Sequence, residues 1–578
     1  MKKYLKQHWF EYVFALLLII IISIIVNFKF GYVYSTNDDT MLKNIINGNF
    51  TGTPDSHMIF IAFPLATVWK LLYSVFSDVS WYDFFMVGLH YLCYFLIIVR
   101  LGQQVEAKNN KAIIMLSATL LLGLVDLKYL IMPQFTIISA QLASISLLWM
   151  FTGKTQTRFE CWLDYSVIVS TLLLSAMYRR EPFLLSLPIL CLAILYRIWK
   201  NSSCKKKIVK NIVVCIGVLF ILYLLISIVD NLAYSSPTWS EFSRSQEARV
   251  QIYDYSGVPQ YDDNQKEYES LCISHADWLA IDYYNCEFAD DFDAEKMEGV
   301  SRMSLRIWNN ASSLLSIIKR SIFSFSVNLF ENSIQPIGLI LVVVYCIVFL
   351  LCYYANDKKT LIIILSILLF NIIVSVFLIG RGRFPERVLY GMLFNQLVCL
   401  MAIGSDYAEQ IYEGLRKKKE WLSVTLIVCV LAVGFSSIYT WQMVKSEQTA
   451  LLENAEDWEY INNYFQFNPD NRYCIDTKSF VFSTEKLFSE DVESENMIRL
   501  GGWILNSPLQ EQRMQNQGVE NLVRQVAEDE HFYIVQEESK GTEWINIIWN
   551  EKGYDVEAIV VDIIETPNGR TFEVIQMQ

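Results

Sequence analysis

Long apolar runs recur along almost the whole chain, and they constrain its fold more than any other feature. Phe14–Val26, Ile212–Val229, Ile337–Tyr353, Leu361–Leu378 and Trp421–Phe435 approach or reach the length needed to cross a bilayer, roughly 20 residues of helix. A helix satisfies its own backbone polar groups in hydrocarbon, so such runs fold as a bundle of spans. The 53% hydrophobic fraction over 578 residues agrees with a polytopic, mostly α-helical membrane protein. Spans are expected near 10–30, 81–100, 112–131, 135–151, 162–178, 183–199, 211–231, 334–354, 360–379, 388–405 and 421–441. The first follows Met1-Lys2-Lys3 with no small-residue cleavage site behind it, which reads as a retained signal anchor.

Positive charge orients these spans. With a cytoplasmic N-terminus, Arg100/Lys108/Lys111, Lys154/Arg158, Lys200/Lys205/Lys206/Lys207/Lys210, Lys358/Lys359 and Arg416/Lys417/Lys418/Lys419 all face inward. That pattern holds only if Met58–Phe76 stays on the surface. Pro64 and Lys70 within it favour an interfacial helix. Leu305–Phe330, interrupted by Lys319-Arg320, reads as a second interfacial segment. Eleven spans follow, with outer loops at 31–80 and 232–333. The spans read as mostly bare of charge. Residues 1–444 form the membrane domain, and 445–578 a small extracytoplasmic α/β domain. Its β-type runs are Arg472–Asp476, His531–Gln536 and Val556–Ile564, with a hairpin at Pro567-Asn568-Gly569.

The first outer loop holds Ser35-Thr36-Asn37-Asp38-Asp39-Thr40. Two adjacent carboxylates at headgroup level cost free energy unless something offsets their repulsion. One, Asp38 or Asp39, is suited to take a proton from an acceptor hydroxyl while the other orients it or holds a divalent cation such as Mg or Mn. The plain alternative is a solvated loop ending a helix. Arginines on the same face break the positive-inside pattern: Arg179 and Arg180, then Arg381, Arg383 and Arg387. Guanidinium forks suit a phosphate, although bulk headgroups or Glu181 and Glu386 are equally natural partners. In the long loop Tyr253, Asp254, Tyr255, Asp262 and Asp263 interleave rings and acids as sugar-binding clefts do, and as ordinary acidic loops do. Asp262-Asp263 is a weak metal candidate.

The net charge of −13 argues against nucleic acid. No Walker A, GxSxG or HExxH sequence supports ATP-driven transport or serine or zinc hydrolysis. Most of the twelve cysteines fall in apolar runs. Cys272 and Cys286 are positioned to pair if their loop lies outside the cell. His57 and His275 are lone histidines and read as structural.

A first span followed by an outer loop with the Asp38-Asp39 pair, interfacial segments, many further spans and a soluble C-terminal domain resembles the GT-C superfamily of integral membrane glycosyltransferases. The resemblance implies a polyprenyl-phosphate-sugar donor, a base or acceptor-positioning group at Asp38 or Asp39, and a donor phosphate met by Arg381 and Arg383, with Arg179, Arg180 and Arg387 in reserve. The His-Pro-Pro signature of protein mannosyltransferases is missing from 54–64, where only Pro54 and Pro64 occur. An envelope glycan is therefore the expected acceptor. A lipid-linked glycan ligase or polymerase is the nearest alternative, and a polysaccharide transporter or flippase the alternative of another class.

Overall fold

The computed structural model describes residues 2–578 apart from 154–156, 202–203, 311–313, 408–418 and 490–492. Lys154 and the basic stretch Arg416-Lys417-Lys418 therefore lie outside the described residues. In order come α1 (Lys2–Lys29), α2 (Asn37–Asn47), α3 (Phe63–Val75), α4 (Trp81–Gly102), α5 (Lys108–Val125), α6 (Leu127–Ile131), α7 (Phe135–Thr152), α8 (Arg158–Tyr178), α9 (Arg180–Lys200) and α10 (Lys205–Ala233). The long loop carries α11 (Pro237–Arg249), α12 (Tyr261–Ser270), α13 (His275–Asp282), α14 (Ala294–Asn310) and α15 (Leu314–Leu329). Then follow α16 (Ile337–Tyr354), α17 (Lys358–Gly380), α18 (Glu386–Ser405) and α19 (Lys419–Phe467). Among the described residues, nine helices are long and apolar enough to cross a membrane.

The bundle is organised around α7, all of whose residues are buried. Apolar side chains point to every side of it, with hydroxyl residues and Gln141 interspersed, as suits a helix surrounded by other helices, and α4, α8, α9 and α18 pack on it. The expected span at 112–131 breaks at Asp126. This buried carboxylate accepts hydrogen bonds from Tyr94 (3.0 Å), Tyr390 (2.6 Å) and Gln141.

Helix ends segregate into two sets. At one end Arg100 pairs with Asp164 at 3.0 Å, Arg197 lies 3.7 Å from the same carboxylate, and Lys111 meets Glu11. These buried charges correct the expectation of spans nearly bare of charge. Each has an opposite charge beside it, as the low dielectric requires. Gly153 leaves room for this arginine: a Cβ there would stand 2.2 Å from the Arg197 guanidinium and displace it.

The other end holds the acidic pair. Helix α3 has 13 residues and so spans about 20 Å, short of a bilayer core. Its flanks are tied to that same end: Ala62 donates to the Met177 carbonyl at 2.8 Å, and the Tyr73 hydroxyl accepts from the Tyr82 N–H at 2.9 Å. The second candidate surface segment takes in the end of α14 and the whole of α15. Lys319-Arg320 lies inside continuous α15, because two charged residues on an exposed helix face do not break it.

The C-terminal domain is a five-stranded sheet, β1 (Arg472–Ile475), β2 (Met497–Arg499), β3 (Phe532–Glu537), β4 (Ala558–Glu565) and β5 (Thr571–Met577), ordered β2-β1-β3-β5-β4. β1 runs parallel to β2 and β3, while β5 is antiparallel to β3 and β4. The β4–β5 hairpin turns at 567–569 as its sequence implies. Helices α20 (Pro508–Asn516), α21 (Leu522–Glu528) and α22 (Glu543–Glu551) complete it. No break separates the domains at 445, since α19 runs through to pack Trp458, Ile461 and Phe465 on the sheet. The side chains of its 419–435 part lie outside the described residues. The C-terminal domain is stitched to the chain just before the acidic pair: Tyr34 donates to the Glu485 carbonyl (3.1 Å) and Leu487 to that of Tyr32 (3.2 Å). Cys272 and Cys286 carry free thiols rather than the suggested disulfide. Cys286 is buried, 3.1 Å from the Tyr253 hydroxyl, while Cys272 is exposed.

Candidate active site

The acidic pair opens a helix instead of lying in a solvated loop. Thr36 is extended and α2 begins at Asn37, so both carboxylates occupy the first turn, where the helix dipole favours negative charge. Successive helical residues point about 100° apart, and this rotation separates the fates of the two.

Asp39 turns inward and is fully buried. Its Oδ1 accepts from the Tyr82 hydroxyl at 3.0 Å and from the Phe135 N–H at 3.3 Å, and its Oδ2 accepts from the Thr36 hydroxyl at 3.1 Å. Phe135 is the first residue of α7, so this carboxylate satisfies one of the free N–H groups at the start of the central helix. Burial pushes the Asp39 carboxyl up to about 7, with the charge of Asp38 adding to the shift and the three donors opposing it.

Asp38 stays partly open, with Arg387 Nη1 at 3.4 Å. Arg387 lines a groove with Glu181, Pro182 and Gly391. Glu181 in turn accepts from Arg179 Nε at 3.0 Å. The Arg179 guanidinium lies 4.9 Å over Phe60 and 5.0 Å over Phe135, and its Nη1 is buried without a partner. Arg387 thus meets the accessible carboxylate, and Arg179, joined to the same groove through Glu181, keeps an unused donor.

The other sequence candidates are placed differently. Arg180 is exposed. Arg381 is exposed, 6.0 Å over Phe377. Arg383 pairs with Asp254, which Arg249 also approaches at 3.8 Å. Tyr253 stacks on Tyr284 at 3.8 Å and donates to the Ile281 carbonyl at 2.7 Å, so it packs within the long loop's own core. Tyr255 is half-buried in the same turn, and Asp262 and Asp263 are exposed in the first turn of α12. Among the described residues no contact joins Tyr253, Tyr255, Asp262 or Asp263 to Asp38. His57 is enclosed, 2.6 Å from Asp55 and stacked on Trp239 at 4.4 Å. His275 is exposed, 2.8 Å from Glu551.

Around the pair, the described side chains supply donors and a cation rather than further carboxylates. Both oxygens of Asp39 are occupied by donors, and Asp38 has a guanidinium for its counter-ion. No group of three His, Cys, Asp or Glu side chains suited to a metal occurs among the described residues.

No family model matches the chain, and no curated protein matches it. Two crystal structures of ArnT from Cupriavidus metallidurans are similar to it, one bound to undecaprenyl phosphate and one in the apo state. Each is 10% identical, with 97% of this chain and 97% of that one covered and a TM-score of 0.38. Likeness at that level carries no argument about the reaction, which rests on this chain's own residues.

Several residues that position the site come from the C-terminal domain. On α2 the Lys43 ammonium lies 3.2 Å from Glu485 and 3.9 Å from Asp83, and Asn44 donates to Glu493 at 2.9 Å. Burial works against the Lys43 charge, but Glu485 and Asp83 more than offset it. Glu493 is held by Arg499 at 3.2 Å and Arg513 at 3.3 Å, and Arg513 also donates to the Phe50 carbonyl at 3.0 Å. Glu485, Glu493 and Arg513 lie more than 400 residues along the chain from Lys43, Asn44 and Phe50, which they meet. The only local hint is a lysine and an asparagine on an otherwise apolar stretch of α2.

Proposed function

We propose that this chain is a membrane glycosyltransferase that moves a monosaccharide from a polyprenyl-phosphate donor to an envelope glycan. The observation that carries this reading is the division of labour in the acidic pair. Asp38 is partly open and met by Arg387, while Asp39 is locked to the central helix and to Tyr82. Asp38 is then the base and Asp39 the residue that fixes it in place.

In this mechanism Arg387 and the free donor of Arg179 meet the lipid phosphate, and the tail follows the groove beside Gly391. The acceptor hydroxyl attacks the anomeric carbon and gives its proton to Asp38. The bond from that carbon to the phosphate oxygen breaks, and lipid phosphate departs with the electron pair. A single displacement inverts the anomeric centre. The leaving group is already activated, so positioning and charge neutralisation supply most of the acceleration. The acidic-pair end would face outward, as the inward placement of the lysine-rich loops requires.

The test is release of lipid phosphate from a panel of polyprenyl-phosphate sugars by the purified chain, with lipid-diphosphate oligosaccharides as the contrasting donors. Asp38→Asn should lower turnover by about 10²-fold or more, the scale for loss of a general base, with an unchanged melting temperature. Equal turnover in wild type and Asp38→Asn would remove the base. Activity confined to the diphosphates would make the chain a ligase or polymerase.

A further inference from the structure

A narrow cleft lies between α2 and the C-terminal sheet domain, on the face of α2 next to Asp38. From the membrane side it is lined by Asn37, Thr40 and Met41, and from the sheet domain by Thr477, Arg499 and Trp503. Asn37, Thr40 and Met41 share one side of the helix at spacings of three and four, and Asp38 is one step of about 100° around from Asn37.

Three of the residues that line this cleft carry a buried polar atom with no hydrogen-bond partner. Thr40 is only 2% exposed, yet its Oγ1 has no hydrogen-bond partner, and the same holds for Thr477 Oγ1 and Arg499 Nε. Unpaired polar atoms in a buried wall cost free energy unless something meets them. The charges nearby are already balanced, Arg499 by Glu493 and Lys43 by Glu485, so the cleft offers hydrogen bonds without a strong net charge.

The local chain presents a ring there. A Cβ on Gly501 would stand 2.2 Å from the Tyr284 carbonyl oxygen, and Gly502 has φ +95°. Only this glycine pair lets the backbone pass so close and turn Trp503 into the cleft. Trp503 packs against Phe60 at 4.8 Å, and Phe60 stacks on Phe135 at 5.9 Å beneath Arg179. An aromatic row therefore runs from the cleft to Arg179.

We propose that this cleft binds a neutral pyranose ring of the acceptor glycan, stacked on Trp503 and hydrogen-bonded by Thr40, Thr477 and Arg499. The C–H face of a pyranose suits the electron-rich face of an indole, and its hydroxyls suit two threonine hydroxyls and a guanidinium whose charge Glu493 already balances. The identity of the ligand as acceptor rests on the transferase reading, whereas the saccharide site does not.

The experiment uses the full chain in a detergent without a sugar headgroup, probed with di-N-acetylchitobiose and with maltotriose by saturation-transfer NMR. Ring protons of at least one of these should receive saturation from wild type. Trp503→Leu should weaken binding about tenfold, the loss of one aromatic contact. Thr40→Val keeps the side-chain volume and serves if the tryptophan variant melts early; it should weaken binding about threefold, as loss of one hydrogen bond does. Arg387→Gln, at the donor end, should leave binding intact. No transfer to either sugar, transfer undiminished in Thr40→Val and Trp503→Leu, or transfer abolished by Arg387→Gln would each overturn the site. Failure of the transferase reading appears elsewhere, as lipid-phosphate release indifferent to Asp38→Asn.

Discussion

Arginines that look alike in sequence fall into two groups in the fold, and each group meets its own carboxylate. Arg179 and Arg387 stand at the acidic pair, where Arg387 reaches Asp38 and Arg179 keeps a donor unpaired. Arg383 belongs to the long loop, where Asp254 takes its charge and Arg249 shares the same carboxylate. The sequence Gly380-Arg381-Gly382-Arg383 is the denser signal, and Gly382 does permit close approach, but what approaches is Trp308 and the Tyr255 carbonyl. An arginine is available to a ligand only when its local counter-charge leaves it so, and counter-charges come from remote parts of the chain.

The largest effect that tests this contrast is at Arg387. Lysine keeps the charge but loses the planar fork, so Arg387→Lys should weaken apparent affinity for a polyprenyl-phosphate sugar by about 1.5–3 kcal/mol, roughly 10- to 100-fold. Affinity equal to wild type, in a variant with an unchanged melt, would break the comparison at its stronger end.

Much of the scaffold was legible because it follows from local rules. Apolar length marked the spans, Pro64 and Lys70 kept α3 off the list of spans, and Pro567-Asn568-Gly569 marked the last hairpin. What was hidden depends on long-range contact. The three-residue strand β2 is too short to show a period, yet it carries Arg499 into the cleft. Glu485, Glu493 and Arg513 reach α2 from the far end of the chain with no local pattern to announce it. The difference between Asp38 and Asp39 was partly readable: Thr36 three residues before Asp39 is the spacing of a helix start, and a helix start would have turned the two carboxylates apart. That Asp39 ends beneath the first turn of α7 was not readable, because it depends on where Phe135 packs.

The burial of Asp39 yields the next effect. Asp39→Asn removes an acceptor from a site with three donors, so stability should fall by about 1–3 kcal/mol, a loss that Asp38→Asn should not show. The pH dependence has a definite sign. The folded carboxyl sits at about 7 against an ordinary value of 3.8, so between these the native state holds a proton that the unfolded chain has released. That contribution is fully present below about pH 4 and is lost as pH rises to 7. The wild-type melting temperature should therefore fall relative to that of Asp39→Asn across this window. Parallel curves for the two proteins would place the Asp39 charge in a well-solvated setting and undo the assignment of Asp38 as the exposed partner.

The smallest effect is expected at the second cluster, and its smallness is the point. Arg383 is about one-third exposed and its Asp254 partner about one-quarter, so the pair is screened by solvent and worth roughly 0–1 kcal/mol. Arg383→Lys keeps a cation within reach of Asp254 and should leave donor affinity unchanged within error, with a melting shift no larger than that of Asp254→Asn. A double-mutant cycle between Arg383 and Asp254 should return a coupling of the same small size, measured by thermal melts. If Arg383→Lys instead costs as much donor affinity as Arg387→Lys, Asp254 does not satisfy Arg383. The donor phosphate would then span both clusters, and the groove beside Gly391 would be only part of its seat.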